Sequence, residues 1–131
     1  MKVGLIAHDE KKRLMQDLCV AYKPILRRHE LFATETTGRL VEEATGLRVH
    51  KFLSGHIGGM EQFGAALEEN TLDMVIFLRD PEHVKSHDLS MSDVVRLCDV
   101  HNIPIATNIA TSELLILALD RGDLEFREAY R

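Results

Sequence analysis

The sequence predicts an α/β fold: a three-layer, doubly wound domain built on a five-stranded parallel sheet. Three observations lead there. Residues 3–7 (VGLIA) and 73–78 (DMVIFL) are short, unbroken apolar runs, as strands buried on both faces read. The segments between such runs carry apolar residues at spacings of three and four, the period of a helix with one buried face. Strands and helices alternate along the chain, and only parallel pairing with helical crossovers satisfies that order.

The elements follow in sequence. The first strand, 3–7, ends at His8-Asp9, and Asp9 is expected to cap the next helix. That helix presents Leu14, Met15, Leu18, Cys19 and Tyr22 to the core. Residues 31–34 form the second strand. Thr36 or Thr37 is expected to cap a helix over 39–44, closed by Gly46. A weaker, alternating strand covers 48–53. The helix over 58–70 begins in Gly-Gly and buries Phe63, Ala66 and Leu67. After the strand at 73–78, a helix over 90–100 turns Val94, Leu97 and Cys98 inward. A strand at 104–107 and a helix at 112–119 complete the pattern.

Bulk properties narrow the function. The 131 residues suit one domain spanning 1–131, and 45% hydrophobic content supplies a core. A net charge of -5 without a basic run argues against nucleic acid as the partner. No apolar run is long enough to cross a bilayer, and Met1-Lys2-Val3 leads into a strand rather than a signal peptide. Cys19 and Cys98 lack paired spacing. A reduced, cytoplasmic protein that does not engage membranes is expected.

In open parallel sheets the ligand lies beyond the carboxyl ends of the strands. Those ends are polar: His8-Asp9, the loop Thr34-Glu35-Thr36-Thr37-Gly38, Ser54-Gly55-His56, Arg79-Asp80 and Thr107-Asn108. Three threonine hydroxyls, a glycine and helix N-terminal amides make a cradle for an anionic oxygen group, most often phosphate. Glu35 adds a negative charge to it. The bland readings are an ordinary helix cap for the threonines and for Asp9. His29, His50, His83 and His101 read as structural or surface groups. His56 reads as a loop residue or as a cation offsetting Glu35, Met60 as packing beneath the site, and Glu42-Glu43 and Glu68-Glu69 as solvated faces. No metal site is expected: His83 and His87 are four apart but follow Pro81, and neither a cysteine pair nor His-Glu-x-x-His is present.

Six segments, in order, resemble the methylglyoxal synthase family over almost the whole chain. They are Ile6-Ala7-His8-Asp9, Ala33-Thr34-x-Thr36-Thr37-Gly38, Glu43-Ala44-Thr45-Gly46, Ser54-Gly55-x-x-Gly59, Ile76-Phe77-x-x-Asp80-Pro81 and Ile103-Pro104-x-Ala106-Thr107-Asn108. The resemblance implies a homohexamer that converts dihydroxyacetone phosphate to methylglyoxal and inorganic phosphate, without metal or organic cofactor. The same fold serves as a regulatory domain in carbamoyl-phosphate synthetases, so fold alone does not assign catalysis. By position, the resemblance implies a phosphate grip of Lys12, Thr34, Thr36, Thr37, Gly38 and Ser54, with Gly55 beside it. Arg96 corresponds to an arginine lent by a neighbouring subunit, and His87 to the histidine that polarises the substrate oxygens. His8, Asp9 and Asp80 correspond to the remaining polar members.

The chain departs from the family at the same site. The family's Ser-Gly-Pro-x-Gly-Gly-Asp-Gln-Gln is here Ser54-Gly55-His56-Ile57-Gly58-Gly59-Met60-Glu61-Gln62. The family's catalytic base thus falls on Met60, whose thioether takes no proton at neutral pH. In Ser86-His87-Asp88-Leu89-Ser90 a second functional aspartate has become Ser90, and the glycine of Thr-Gly-Thr-Thr-Gly is Glu35. Glu35 and Glu61 are the candidates for a relocated base. Three functions stay open on the residues alone: a lyase with a displaced base, a non-catalytic regulatory paralogue binding phosphate or a small anionic metabolite, and an enzyme using the anion pocket on another substrate.

Overall fold

In the computed structural model, which describes residues 1–53, 58–82 and 91–131, five parallel strands form one sheet. They are β1 (Lys2–Ala7), β2 (Glu30–Ala33), β3 (Val49–Lys51), β4 (Met74–Leu78) and β5 (Ile105–Ala106), in the order β3-β2-β1-β4-β5. The central strands pair in register, with Leu5 opposite Ala33 on one side and Ile76 on the other. The helices are α1 (Lys12–Ala21), α2 (Lys23–Leu26), α3 (Glu35–Thr45), α4 (Gly59–Glu68), α5 (Met91–His101) and α6 (Ile109–Arg121).

Alternation along each strand builds two cores. Val3, Leu5, Met74, Ile76 and Leu78 face α1, α3 and α6 through Met15, Leu18, Val41 and Ile116. Ile6, Val75 and Phe77 face α4 and α5 through Phe63, Leu67, Val94 and Cys98. The expected fold class is therefore present: helices cover both faces of a sheet whose central strands are fully buried.

Several local expectations are corrected. Asp9 does not cap α1; it lies in a 3-10 turn (Asp9–Lys11) with His8 at the N-cap, and α1 starts at Lys12. Neither Thr36 nor Thr37 caps α3, because the helix begins earlier, with Thr34 at the N-cap and both threonines inside the first turn. Gly46 does close it, in the left-handed conformation at φ 75° that glycine accepts without a Cβ clash. The last helix starts at Ile109 rather than at 112, because Asn108 Oδ1 accepts a hydrogen bond from the Thr111 amide at 3.0 Å. Leu14, expected in the core, is exposed, and Ala66 and Leu97 are only half-buried. The edge strands β3 and β5 are shorter than their apolar patterns suggested.

Two elements had no counterpart in the sequence reading: α2, with Pro24 in its first turn, and a C-terminal 3-10 segment (Glu125–Tyr130). The second carries Arg127, fully buried against Asp73, which directly precedes β4.

Candidate active site at the carboxyl ends of the strands

The strand order reverses between β1 and β4, so the crevice beyond their carboxyl ends is the topological switch point. His8 follows β1, and Asp80 lies just past β4. The Asp80 amide donates to His8 Nδ1 at 2.8 Å, and the His8 amide donates to the Leu78 carbonyl at 3.1 Å. A ring nitrogen that accepts carries no proton, so this bond leaves the His8 proton on Nε2. Nε2 is buried and has no hydrogen-bond partner among the described residues. Phe77 holds the ring edge-on, centroids 5.3 Å apart. Asp80 is buried, and its Oδ1 accepts from the Glu82 amide at 3.0 Å.

Beside this pair, β2 runs into the threonine loop. Thr34 is buried in extended conformation as the N-cap of α3, and its side chain makes no capping bond. The Gly38 amide donates to the Thr34 carbonyl at 2.8 Å, closing the first helical turn. Amides earlier in a first turn have no intrahelical acceptor, so they point out of the helix end. Thr37 is only 1% exposed, and its Oγ1 has no partner among the described residues. A buried hydroxyl left unpaired costs about 1–3 kcal/mol. Thr37 Oγ1 in the first turn of α3 and His8 Nε2 just past β1 are thus both buried polar atoms without a partner among the described residues, the condition of groups that receive a polar ligand. Lys12 is tied to the same rim, donating through Nζ to the Ala7 carbonyl at 2.9 Å and to Asp9 Oδ1 at 3.0 Å.

Gly38 has a packing reason to be glycine. A Cβ there would lie 2.6 Å from Lys51 Cγ and 3.3 Å from Val49 Cγ1, so its absence lets α3 sit close on β3. Glu35 sits at the edge of the cradle, between Arg39 and the Thr36 hydroxyl. Its Oε1 lies 4.0 Å from Arg39 Nε, and its Oε2 accepts from the Thr36 hydroxyl at 3.4 Å. Arg39 in turn donates to Glu43 at 3.1 Å, so the three side chains form an i, i+4 ladder along the flank of α3.

The first turn of α4 separates Met60 from Glu61. Gly58, at φ 105°, is the N-cap. Met60 packs, half-buried, on the cluster that contains Phe77, the ring beneath His8. Glu61 is exposed and folds back over its own N-cap, its Oε2 3.5 Å from where a Cβ on Gly58 would sit. A glutamate three residues past the N-cap favours that direction, as in a capping box. Gln62 joins the two helix starts: its Oε1 accepts from the Leu53 amide at 2.7 Å, while the Leu53 carbonyl accepts from the Glu35 amide at 3.4 Å.

A cleft of about 470 Å³ is lined by Lys11, Leu14, Arg79, Pro81, Thr107 and Asn108, and neither His8 nor the threonines of the cradle contribute to its wall. Arg96 is not brought to the rim; it is exposed in the middle of α5, in a shallow groove with Val95 and Val100. His87, Ser54, Gly55, His56 and Ser90 lie outside the described residues. Sequence reasoning missed Arg39 and Gln62. The i, i+4 spacing from Glu35 and the place in the first turn of α4 were the signals available. Burial pushes the Cys19 and Cys98 thiols up to about 12, so neither is a nucleophile at neutral pH. Among the described residues no three His, Cys, Asp or Glu side chains are grouped to hold a metal ion, and no helix is long and apolar enough to cross a membrane.

Comparison with known proteins agrees with this fold. Residues 15–107 match the family described as MGS-like domain. Methylglyoxal synthase of Caldicellulosiruptor saccharolyticus is 60% identical over 128 residues, covering 98% of this chain and 91% of that protein. Methylglyoxal synthase of Bacillus subtilis is 50% identical over 131 residues, covering 100% and 96%. The crystal structure of methylglyoxal synthase from Elizabethkingia anophelis superposes with a TM-score of 0.83 at 36% identity, over 88% of this chain and 76% of that one. With its sheet order, its threonine cradle and relatives matched almost end to end, the chain belongs to the methylglyoxal synthase family.

Proposed function

We propose that the protein is a carbon–oxygen lyase that converts dihydroxyacetone phosphate to methylglyoxal and inorganic phosphate. The observation that carries this reading is the two buried donors without a partner among the described residues, Thr37 Oγ1 in the first turn of α3 and His8 Nε2 just past β1, in a chain whose fold matches that of a methylglyoxal synthase. Thr34, Thr36, Thr37, the α3 amides and Lys12 hold the phosphate, with Ser54 and Gly55 as the family resemblance places them. A carboxylate removes the proton alpha to the ketone. His8 Nε2–H, with His87 by resemblance, donates to the oxygen that becomes the enediolate. The enediolate electron pair then expels phosphate from the adjacent carbon, and the enol left behind takes a proton to give methylglyoxal. Proton removal and loss of phosphate need neither metal nor organic cofactor.

Of the two candidate bases we assign Glu61, because it stands next to the family's base position in the first turn of α4, whereas Glu35 lies along the flank of α3 beside Arg39. Glu61→Gln is expected to lower kcat by about 10²–10⁴, and Glu35→Gln to retain turnover. Methylglyoxal and phosphate release from dihydroxyacetone phosphate measures both; unchanged rates in both variants would remove the glutamates from the reaction. No release by the parent, with phosphate still bound, would favour the binding-only paralogue. The protein works in the cytoplasm as a homohexamer. Support for the assembly comes from the exposed apolar side chains Val100 (62%) and Leu114 (68%), with Arg96 beside Val100 in the α5 groove.

A further inference from the structure

We infer that Arg39 is a positioning residue that holds the Glu35 carboxylate off the first-turn amides of α3. This rests on the proposed reading of the threonine loop as a phosphate site, which the buried, unpartnered Thr37 Oγ1 supports independently of the helix end. Glu35 is the first residue of α3, next to the amides that would receive phosphate. A carboxylate there is drawn to the helix end by the same donors and the same dipole that draw a phosphate oxygen. Left unpaired, Glu35 would act as an internal competitor, and its charge would repel a bound dianion. It already takes the Thr36 hydroxyl as a donor, at 3.4 Å.

Arg39, one turn along, opposes this. Its Nε lies 4.0 Å from Glu35 Oε1, and its Nη1 is anchored on Glu43 at 3.1 Å. All three side chains are about half exposed, so the ladder lies on the outer flank of α3 and away from the buried Thr37. The guanidinium thus draws the carboxylate outward and partly neutralises it, so the first turn of α3 remains available to phosphate despite a glutamate within it.

The test is a double-mutant cycle read by titration of the full-length protein with inorganic phosphate at low ionic strength, where exposed charges are least screened. Arg39→Ala is expected to weaken phosphate binding by about three- to tenfold, with KM for dihydroxyacetone phosphate rising in proportion and kcat holding. In the Glu35→Gln background the same Arg39→Ala change is expected to alter affinity by less than about twofold, and Arg39→Lys is expected to keep most of the parent's affinity. Equal weakening in both backgrounds would show that Arg39 meets phosphate directly and would overturn the inference, as would no change in Arg39→Ala. A parent that binds no phosphate would overturn the cradle reading itself. Thermal melting confirms that each variant is folded.

Discussion

Arg127→Ala is expected to destabilise the folded chain by about 3–5 kcal/mol, the cost typical of removing one partner from a buried ion pair. Arg127 and Asp73 are both 0% exposed, with Nε and Oδ1 3.5 Å apart. The guanidinium also donates to the His101 carbonyl at 2.7 Å, to the Leu72 carbonyl at 2.9 Å and to Asn70 Oδ1. It therefore ties the end of α4, the approach to β4 and the end of α5 to the C-terminal segment. Burial pulls the Arg127 pKa down, while the Asp73 carboxylate opposes that shift. Asp73 accepts from the Lys2 amide at 2.8 Å and from Arg131 Nε at 3.0 Å, so without Arg127 its charge rests on one amide and a partly exposed arginine. Urea unfolding should show a lower midpoint with an unchanged slope, the signature of lost stability rather than an altered denatured state. The network sits at the amino ends of the strands, so kcat measured where the variant is still folded should match the parent. A midpoint within experimental error of the parent would show that Arg127 does not hold the C-terminal segment.

That network was illegible in the sequence for a physical reason. An arginine in a short C-terminal segment of mixed composition usually lies at the surface, and nothing local says that three carbonyl-type acceptors and a carboxylate await it across 26 to 57 residues of chain. The sheet was legible because its strands are buried on both faces and so need unbroken apolar runs such as Met74–Leu78. Helix starts were less so. Thr34, Thr36 and Thr37 are all good cap residues, and only tertiary pairing of β2 with β3 decides which one ends the strand. At the site, residue types pointed to the rim; the structure joins His8 to Asp80 there, and the threonines follow β2, the strand next to β1. The setting of Glu35 depends on a partner one turn away, and the outward fold of Glu61 depends on the left-handed Gly58. Both are relations between side chains rather than properties of single positions.

Met60→Asp is expected to raise turnover of dihydroxyacetone phosphate above the parent's, and by about 10²–10⁴ where Glu61 has been replaced by Gln, the range that a well-placed general base contributes. The family resemblance puts an aspartate at this position, and the structure gives a reason why it is a productive one. Met60 packs on the cluster of which Phe77 is a member, and the His8 ring meets Phe77 edge-on, so position 60 and His8 lie on the same face of the sheet. Glu61 folds back over Gly58. A carboxylate at 60 would therefore approach the substrate carbon from the side on which His8 Nε2–H meets its oxygen, which proton removal and enediolate stabilisation require together. The substitution gives up the half-buried contact of a methionine, a loss of about 1 kcal/mol that the fold should tolerate. The sharper test is Met60→Asp combined with Glu61→Gln. If Glu61 serves as the base only because position 60 cannot, the double variant keeps the gain, and Glu61 becomes dispensable once the aspartate is present. If the double variant instead falls to the level of Glu61→Gln alone, proton removal runs through Glu61 whatever stands at 60, and the site has been rebuilt around the glutamate.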